Sequence, residues 1–411
     1  MNLRNFPTHL NSHDRAEERR RIIERELNVD LGALSIDPSR LGSAEEKNCE
    51  QMFGHVPIPV GLAGPLLINF SSGESQNVYL PLATTEAALV ASVNRGCKTL
   101  TMAGGVKTKT VYHGITRSIA FKSQIPNPKS QKKIKSQISN MSDDWKTVGE
   151  STSSHLEIIG YTVNESDGYV FLTVNCDTDE AMGMNMATIA AQAIGEWIEA
   201  RIAELKFITV AGNVDSDKKP SKRTHDLGRG YEVCAEAQIP EEVITEVLRT
   251  TPEKLLECAK AKLEIGSKLA GAIGSNLHAA NIISALYLAT GQDSAHVVEG
   301  SLADTDVEPI KVESRKWNSL RQGFGRQEVE SGMRVAVRCP AILVGIRGGG
   351  TQLPAQKQCL DLLLNQKANC QLPKCQMLAE SIGAAVLAGE ISLLAAQATH
   401  TLAKSHKLMA R

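Results

Sequence analysis

The chain has 411 residues, 42% hydrophobic and 22% charged, the balance of an ordinary globule, which excludes a disordered tail, a collagen-like repeat or a small disulfide-stapled fold. Forty-five basic residues against 46 acidic ones leave a net charge of -1, and only 4% of residues are aromatic, so neither phosphate neutralisation nor base stacking supports a nucleic-acid binder. At about 150 residues per domain, this length predicts two or three domains.

With so few rings, small aliphatic side chains and close backbone approach must supply the packing. Nine scattered cysteines without a C-x-x-C pair read as the reduced thiols of a cytosolic (cytoplasmic) protein. The N-terminus reaches the charged run DRAEERRRIIERE at 14–26 with no apolar stretch of signal-peptide length.

In chain order, residues 14–28 predict a charged amphipathic helix with an Ile22, Ile23 and Leu27 stripe, inside an N-terminal helical segment at 1–48. VPIPVGLAGPLLIN at 56–69 reads as a shaped loop running into a strand, and 77–83 as a second strand. Thr84-Thr85 is expected to cap a small-residue helix that begins at Glu86. Between 118 and 210, a strand, a polar helix, two strands, a helix at 181–203 and the strand KFITVA follow the βαββαβ order of a split ferredoxin-like unit. A polar loop occupies 211–230, and helical periodicity runs from 241 to a strand at 334–345 that ends on Gly348-Gly349-Gly350. Residues 376–404 are helical again.

The stretch 269–292 carries no Asp, Glu, Lys or Arg and is long enough to cross a membrane, but its polar content predicts a central core helix instead. The fold class is therefore α/β (α+β). The stretch 118–210 could be an inserted ferredoxin-like module, which leaves 49–117 and 220–411 as the expected large domain around the buried helix, joined through the loop at 211–230.

Walker A, H-E-x-x-H, G-x-S-x-G and Rossmann G-x-G-x-x-G patterns are absent. The remaining features each have an ordinary reading beside a functional one. Glu86, expected to be partly buried at a helix start, can simply compensate the dipole. Lys218-Lys219 can be a solvated charge run, His278 and Asn281 satisfied core polar residues, and His406 an inert tail histidine. Asp293 closes the uncharged helix at the wrong end of its dipole, a cost that argues for a role. Gly348–Gly350 can cradle a phosphate or merely turn the chain.

Taken in order, GHVPIPVGLAGPL (54–66), LATTEAALVASVNRGC (82–97), AMGMNM (181–186), AGNVDSDKKP (211–220), LHAANI (277–282), ATGQD (289–293), VGIRGGGTQL (344–353), LAGEISLLAAQ (387–397) and SHKLMAR (405–411) carry a resemblance. Across roughly 45–411 the chain resembles the catalytic portion of hydroxymethylglutaryl-CoA reductases of the eukaryotic (class I) type, without the membrane anchor common among them.

The resemblance implies a two-step, four-electron reduction of 3-hydroxy-3-methylglutaryl-CoA to mevalonate and CoA with two NADPH. Lys218 would stabilise the thioester oxyanion, Glu86 would protonate the mevaldehyde oxygen, and His406 would protonate the departing thiolate. Asp293 would lie hydrogen-bonded between Glu86 and Lys218 and keep Glu86 protonated by like-charge repulsion. Arg117, Lys219, Lys262 and Asn281 would hold the hydroxymethylglutaryl carboxylate and hydroxyl, and Ser92, Asn94, Arg95, Arg249 and His278 the CoA. Glu180, Met182, Asn185, Gly348, Gly349 and Arg411 would belong to the nicotinamide nucleotide site. A homodimer, possibly pairing into a tetramer, is the expected working unit, soluble and with no membrane span and no nucleic-acid partner.

Some positions depart from the family pattern. Glu180 replaces Asp, Ala211 replaces Ser, Arg347 replaces Val, and Ser154 followed by His155 replaces the Arg-containing run that reads the 2′-phosphate, which keeps NADH open as cofactor. The alternative to the enzyme is a non-catalytic homologue that binds CoA thioesters or inhibitors.

Overall fold

The computed structural model describes residue 3 and residues 6–124, 128–314, 328–364 and 371–401. Among the described residues, ten strands run in chain order as β1 (Val60–Asn69), β2 (Ser75–Ala83), β3 (Val106–Tyr112), β4 (Ile115–Ser123), β5 (Glu157–Ser166), β6 (Tyr169–Asp177), β7 (Leu205–Thr209), β8 (Tyr231–Pro240), β9 (Asp304–Ser314) and β10 (Glu328–Ile342). Six of them form one sheet in the order β2-β1-β3-β8-β10-β9, and four form another in the order β5-β6-β4-β7. The principal helices are α1 (Ser12–Leu27), α2 (Leu89–Met102), α3 (Pro128–Asn140), α4 (Ser142–Glu150), α5 (Met184–Glu199), α6 (Ala279–Thr290), α7 (Pro354–Leu364) and α8 (Lys374–Ala398).

Alternation decides which face of the large sheet is core. On β8, Val233, Ala235, Ala237 and Ile239 are buried while Cys234 and Gln238 face out. The inward face packs on α8, which is buried along almost its whole length and is the central helix. By length and composition α8 could cross a membrane, yet 94% of its most apolar window is buried inside the fold. Its small residues allow very close packing. A Cβ on Gly96 of α2 would sit 1.8 Å from the Ala388 carbonyl oxygen, so only glycine permits this helix crossing.

The central helix is thus 374–398, not 269–292. Of the uncharged stretch, 279–290 is helical and 269–270 end a short helix, Ser267–Ala270, while Leu269 and Ile273 are 83% and 42% exposed. Uninterrupted apolar composition cannot tell a buried helix from an exposed turn when Gly271 and Gly274 both take left-handed φ, at 64° and 82°.

The small sheet follows the expected order. Numbered within the unit its strands run 2-3-1-4, with every pairing antiparallel, the ferredoxin-like arrangement. α4 and α5 cover one face through Trp145, Ala187, Ala190 and Ile194. The loop after β7 lies on the other, where a Cβ on Gly212 would meet Phe171 and Ala120 at 3.0–3.1 Å. Ala341 and Leu343, from the end of β10 and just beyond, enter this core as well.

Other expectations change. The helix after β2 starts at Leu89 rather than Glu86, because Ala88 takes a left-handed φ of 70° and the Thr84 hydroxyl accepts from the Glu86 N–H within the preceding turn. Glu86 is consequently exposed, not partly buried. The predicted helical run from 241 also contains β9, an edge strand that tolerates Pro309 and presents Asp304, Asp306 and Glu308 outward. Too few apolar residues remain there for a period-2 signal.

Candidate active site

The predicted site residues fall into two groups at opposite ends of α6. At its C-terminal end Gly291 closes the helix in a left-handed conformation, and Asp293 caps the next turn, its carboxylate accepting from the Ala295 N–H at 3.0 Å. The expected conflict with the α6 dipole is therefore offset by a new N-cap. Asp293 Oδ2 meets Lys218 Nζ at 2.8 Å. Burial opposes the Asp293 charge, but the Lys218 hydrogen bond, the Ala295 amide and the nearby His296 hold the carboxyl below the usual range.

Lys218 lies on the loop after β7, which carries left-handed φ at Asn213 (62°), Ser216 (57°) and Lys218 itself (56°). Non-glycine residues adopt this conformation only when their surroundings over-determine it. Here the surroundings are ionic. Arg117 of β4 reaches Asp215 at 3.4 Å and Asp217 at 3.3 Å, and Lys219 Nζ donates to the Asp217 carbonyl. The fully buried Arg229 binds Asp217 at 3.1 Å and the fully buried Glu299 at 2.6 Å. Asp215 is itself buried, and that burial pushes its carboxyl up against the pull of Arg229 and Arg117.

At the N-terminal end of α6 a cleft of about 460 Å³ is lined by Glu86, Ser92, Arg95, Lys262, His278 and Asn281 among others. Glu86 Oε2 accepts from Asn281 Nδ2 at 2.8 Å. Arg95 donates to Ser392 Oγ (3.0 Å) and to the Ser392 carbonyl (2.6 Å), while Ser92 and Ser392 share a hydroxyl contact at 3.0 Å. Burial and the neighbouring Arg249 both lower the Arg95 pKa, so two guanidiniums stand close together where an anion would relieve them. Lys262 sits on a π-helical segment, Lys260–Gly266, and Arg249 closes another, Ile244–Leu248, in a left-handed conformation. Wide turns of this kind re-aim side chains and concentrate at functional sites.

Asn94 does not reach this cleft. It lies on another face of α2, where its Oδ1 accepts from the Gly64 N–H at 3.0 Å. His278 is positioned from beneath, its backbone N–H and that of Leu277 donating to the fully buried Glu390 at 2.8 and 2.7 Å. Among the described residues its buried Nε2 has no hydrogen-bond partner.

Among the described residues no hydrogen bond or ion pair joins the two groups, and Asp293 does not bridge Glu86 and Lys218 within one chain. Nine residues of helix separate Asn281 from Thr290, about 14 Å at 1.5 Å per residue, far beyond proton-transfer reach.

A third region fits a dinucleotide. α5 begins after Gly183 with no side-chain cap, leaving its first-turn amides, around Asn185, open to a phosphate. Gly348 and Gly349 take φ of 76° and 54°, with nothing within 4 Å of where a Cβ would project. Ile346 N–H binds the Glu180 carbonyl, Arg347 pairs with the Glu180 carboxylate at 3.2 Å, and Gly345 packs on the Met182 amide. The cradle can thus receive a phosphate-bearing cofactor. Ser154 and His155 are exposed in the turn before β5, with His155 Nδ1 3.3 Å from Asp179. His406 and Arg411 lie outside the described residues.

Sequence reasoning missed Arg229, Glu299, His296 and Glu390. Each is a charged or titratable residue whose importance comes from complete burial, which no local pattern signals.

An α+β fold with a cation-lined cleft, an ordered Lys–Asp pair and a glycine turn facing an uncapped helix defines a candidate oxidoreductase. The family model for hydroxymethylglutaryl-coenzyme A reductase matches residues 15–411. The 3-hydroxy-3-methylglutaryl-coenzyme A reductase of Pyrococcus horikoshii is 37% identical over 404 residues, covering 96% of this chain and 91% of the relative. That of Methanocaldococcus jannaschii is 38% identical over 411 residues, covering 96% and 92%. A solved 3-hydroxy-3-methylglutaryl-coenzyme A reductase of Streptococcus pneumoniae shares the fold at a TM-score of 0.64 and 18% identity, covering 92% of this chain and 96% of that one. A class II reductase structure from the same organism, bound to NADPH in open conformations, superposes at 0.61 and 20% identity over 92% and 96%. The chain belongs to the hydroxymethylglutaryl-coenzyme A reductase family.

Proposed function

We propose that this chain is a reductase that converts 3-hydroxy-3-methylglutaryl-CoA to mevalonate and CoA, and that its active site forms between two copies. The observation that carries the second part is the division of the site: Lys218–Asp293 at one end of α6, Glu86–Asn281 at the other. A two-fold axis that sets two α6 helices antiparallel brings unlike ends together twice and completes two identical sites at once. Apolar surface supports such a contact. Leu288 of α6 is 36% exposed, and Val56, Ile58 and Val60, which line a cavity with it, are 75%, 38% and 54% exposed.

Bound NADPH supplies the hydride equivalents, two per thioester. Met182, Asn185, Gly348 and Gly349 would hold it. Lys218, aimed by Asp293, stabilises negative charge on the thioester carbonyl oxygen, where a preorganised cation acts most strongly. Glu86, oriented by Asn281, delivers a proton to the mevaldehyde oxygen. His406 protonates the leaving thiolate. Arg95, Arg249, Ser92 and His278 bind CoA, while Arg117, Lys219, Lys262 and Asn281 take the substrate carboxylate and hydroxyl. The described cysteines are all free, which supports a reducing, cytosolic location.

The test is nicotinamide oxidation by the purified chain with 3-hydroxy-3-methylglutaryl-CoA, with NADPH and NADH in parallel and CoA and mevalonate counted. Two nicotinamides consumed per CoA released is the expected result. Thioester binding without oxidation of either would leave a binding protein in its place.

A further inference from the structure

Beneath the Lys218 half-site lies a group of charges with no place in substrate binding. Ligand atoms of Asp217, His296 and Glu299 lie within 4.8 Å of one another, a spacing that would suit a metal ion. The Arg229 guanidinium fills that role instead, with Nη1 on Glu299 Oε1 and Asp217 Oδ1 and Nε on Thr116 Oγ1 at 2.8 Å. Glu299 Oε2 is occupied by His296 Nδ1 at 3.1 Å. Oε1 has a second partner: it accepts the backbone N–H of Lys218 at 2.8 Å. The residue whose ammonium meets Asp293 is therefore tied by its amide to a fully buried carboxylate, at a backbone conformation that lysine rarely adopts.

We propose that Glu299 is a positioning residue for the reductase reaction: clamped by Arg229, its carboxylate holds the Lys218 N–H and so maintains the left-handed backbone that directs the Lys218 ammonium to Asp293. A charge-assisted acceptor suits this task, since it binds an amide more strongly than a neutral group and Arg229 and His296 prevent it from turning away. Glu299 touches no reacting atom. It acts only through Lys218.

Two variants separate positioning from simple stability. Glu299→Asp keeps the charge facing Arg229 but shortens the reach by one methylene, and Glu299→Gln keeps the reach but removes the charge. Both are expected to lower kcat about 10- to 100-fold while the thioester KM stays within about threefold, the signature of a misplaced catalytic group. The acid limb of the kcat profile is also expected to move up toward the ordinary carboxylate range. The groups facing Asp293 are Lys218 from the loop, His296 from its own turn and Tyr287 from α6, and the substitution loosens two of them, Lys218 through its amide and His296 through its Nδ1. Loss of thermal stability with kcat and the acid limb unchanged in a folded variant would overturn the proposal.

Should neither variant fold, amide exchange in the native chain decides. The Lys218 N–H is expected to exchange at least about 100-fold more slowly than in a free peptide, although its side chain is 42% exposed. Exchange at the free-peptide rate would overturn the assignment. This role rests on the reductase reading, but the exchange measurement needs no turnover, so failure of one is distinguishable from failure of the other.

Discussion

The two ends of α6 solve different problems. At the N-terminal end, Glu86 is exposed, Arg95 stands near Arg249, and among the described residues His278 Nε2 lacks a partner. At the C-terminal end nearly every charge is already paired: Lys218 with Asp293, Arg117 with Asp215 and Asp217, Arg229 with Asp217 and Glu299. The first, on the proposed function, is the end that receives the ligand. The second holds the Lys218 ammonium within a web of ion pairs, on a loop that takes left-handed φ at Asn213, Ser216 and Lys218. Binding tolerates groups that wait for a partner, whereas transition-state stabilisation requires groups already oriented.

The sharpest way to break this contrast is to remove the ordered pair. Lys218→Ala and Asp293→Ala are each expected to lower kcat by about 10³-fold or more while leaving a folded protein, checked by turnover and circular dichroism. Because the Asp293 carboxyl titrates below its ordinary range, the stability it draws from Lys218 is complete above the ordinary carboxylate pKa. It is lost as pH falls through the depressed value. Lys218→Ala should therefore flatten the acid side of a stability-against-pH curve.

At the receptive end, Arg95→Ala is expected to raise the thioester KM about 10- to 100-fold with kcat largely retained, since it removes binding made equally in ground and transition states. A fall in kcat as large as the rise in KM would erase the distinction between the two ends.

Glu390 tests how far the receptive end depends on the core. Its carboxylate accepts from the Leu277 and His278 amides and the Thr305 hydroxyl while fully buried. Glu390→Ala should destabilise the fold by roughly 2–4 kcal/mol in denaturant unfolding, because it orphans several buried donors together. The smallest effect is expected at the cofactor. Ser154→Arg, beside the His155–Asp179 pair, should raise the preference for NADPH over NADH about tenfold, read as the ratio of binding constants, by adding a charge-assisted partner for a 2′-phosphate.

Much of this was legible in the sequence. The ferredoxin-like order of β4 to β7 and its helices followed from periodicity alone, and Glu86, Lys218 and Asp293 stood out through the motifs that contain them. What the sequence hid has physical causes. β9 is a charged edge strand with too little apolar content to signal its period, and the uncharged stretch at 269–292 concealed an exposed turn ahead of α6. Asn94 shares a motif with Ser92 and Arg95, but one residue along a helix turns a side chain by about 100°, onto another face. Glu299, Arg229 and Glu390 look like surface residues until tertiary structure buries them.

Assembly of the site from opposite ends of α6 in two copies is tested most directly by mixing two inactive full-length variants, Glu86→Gln and Lys218→Ala, under conditions where subunits exchange. Each heterodimer then carries one intact site, and at statistical exchange the mixture should recover about a quarter of wild-type activity. No recovery, with heterodimers present by native mass spectrometry, would contradict a site shared between subunits.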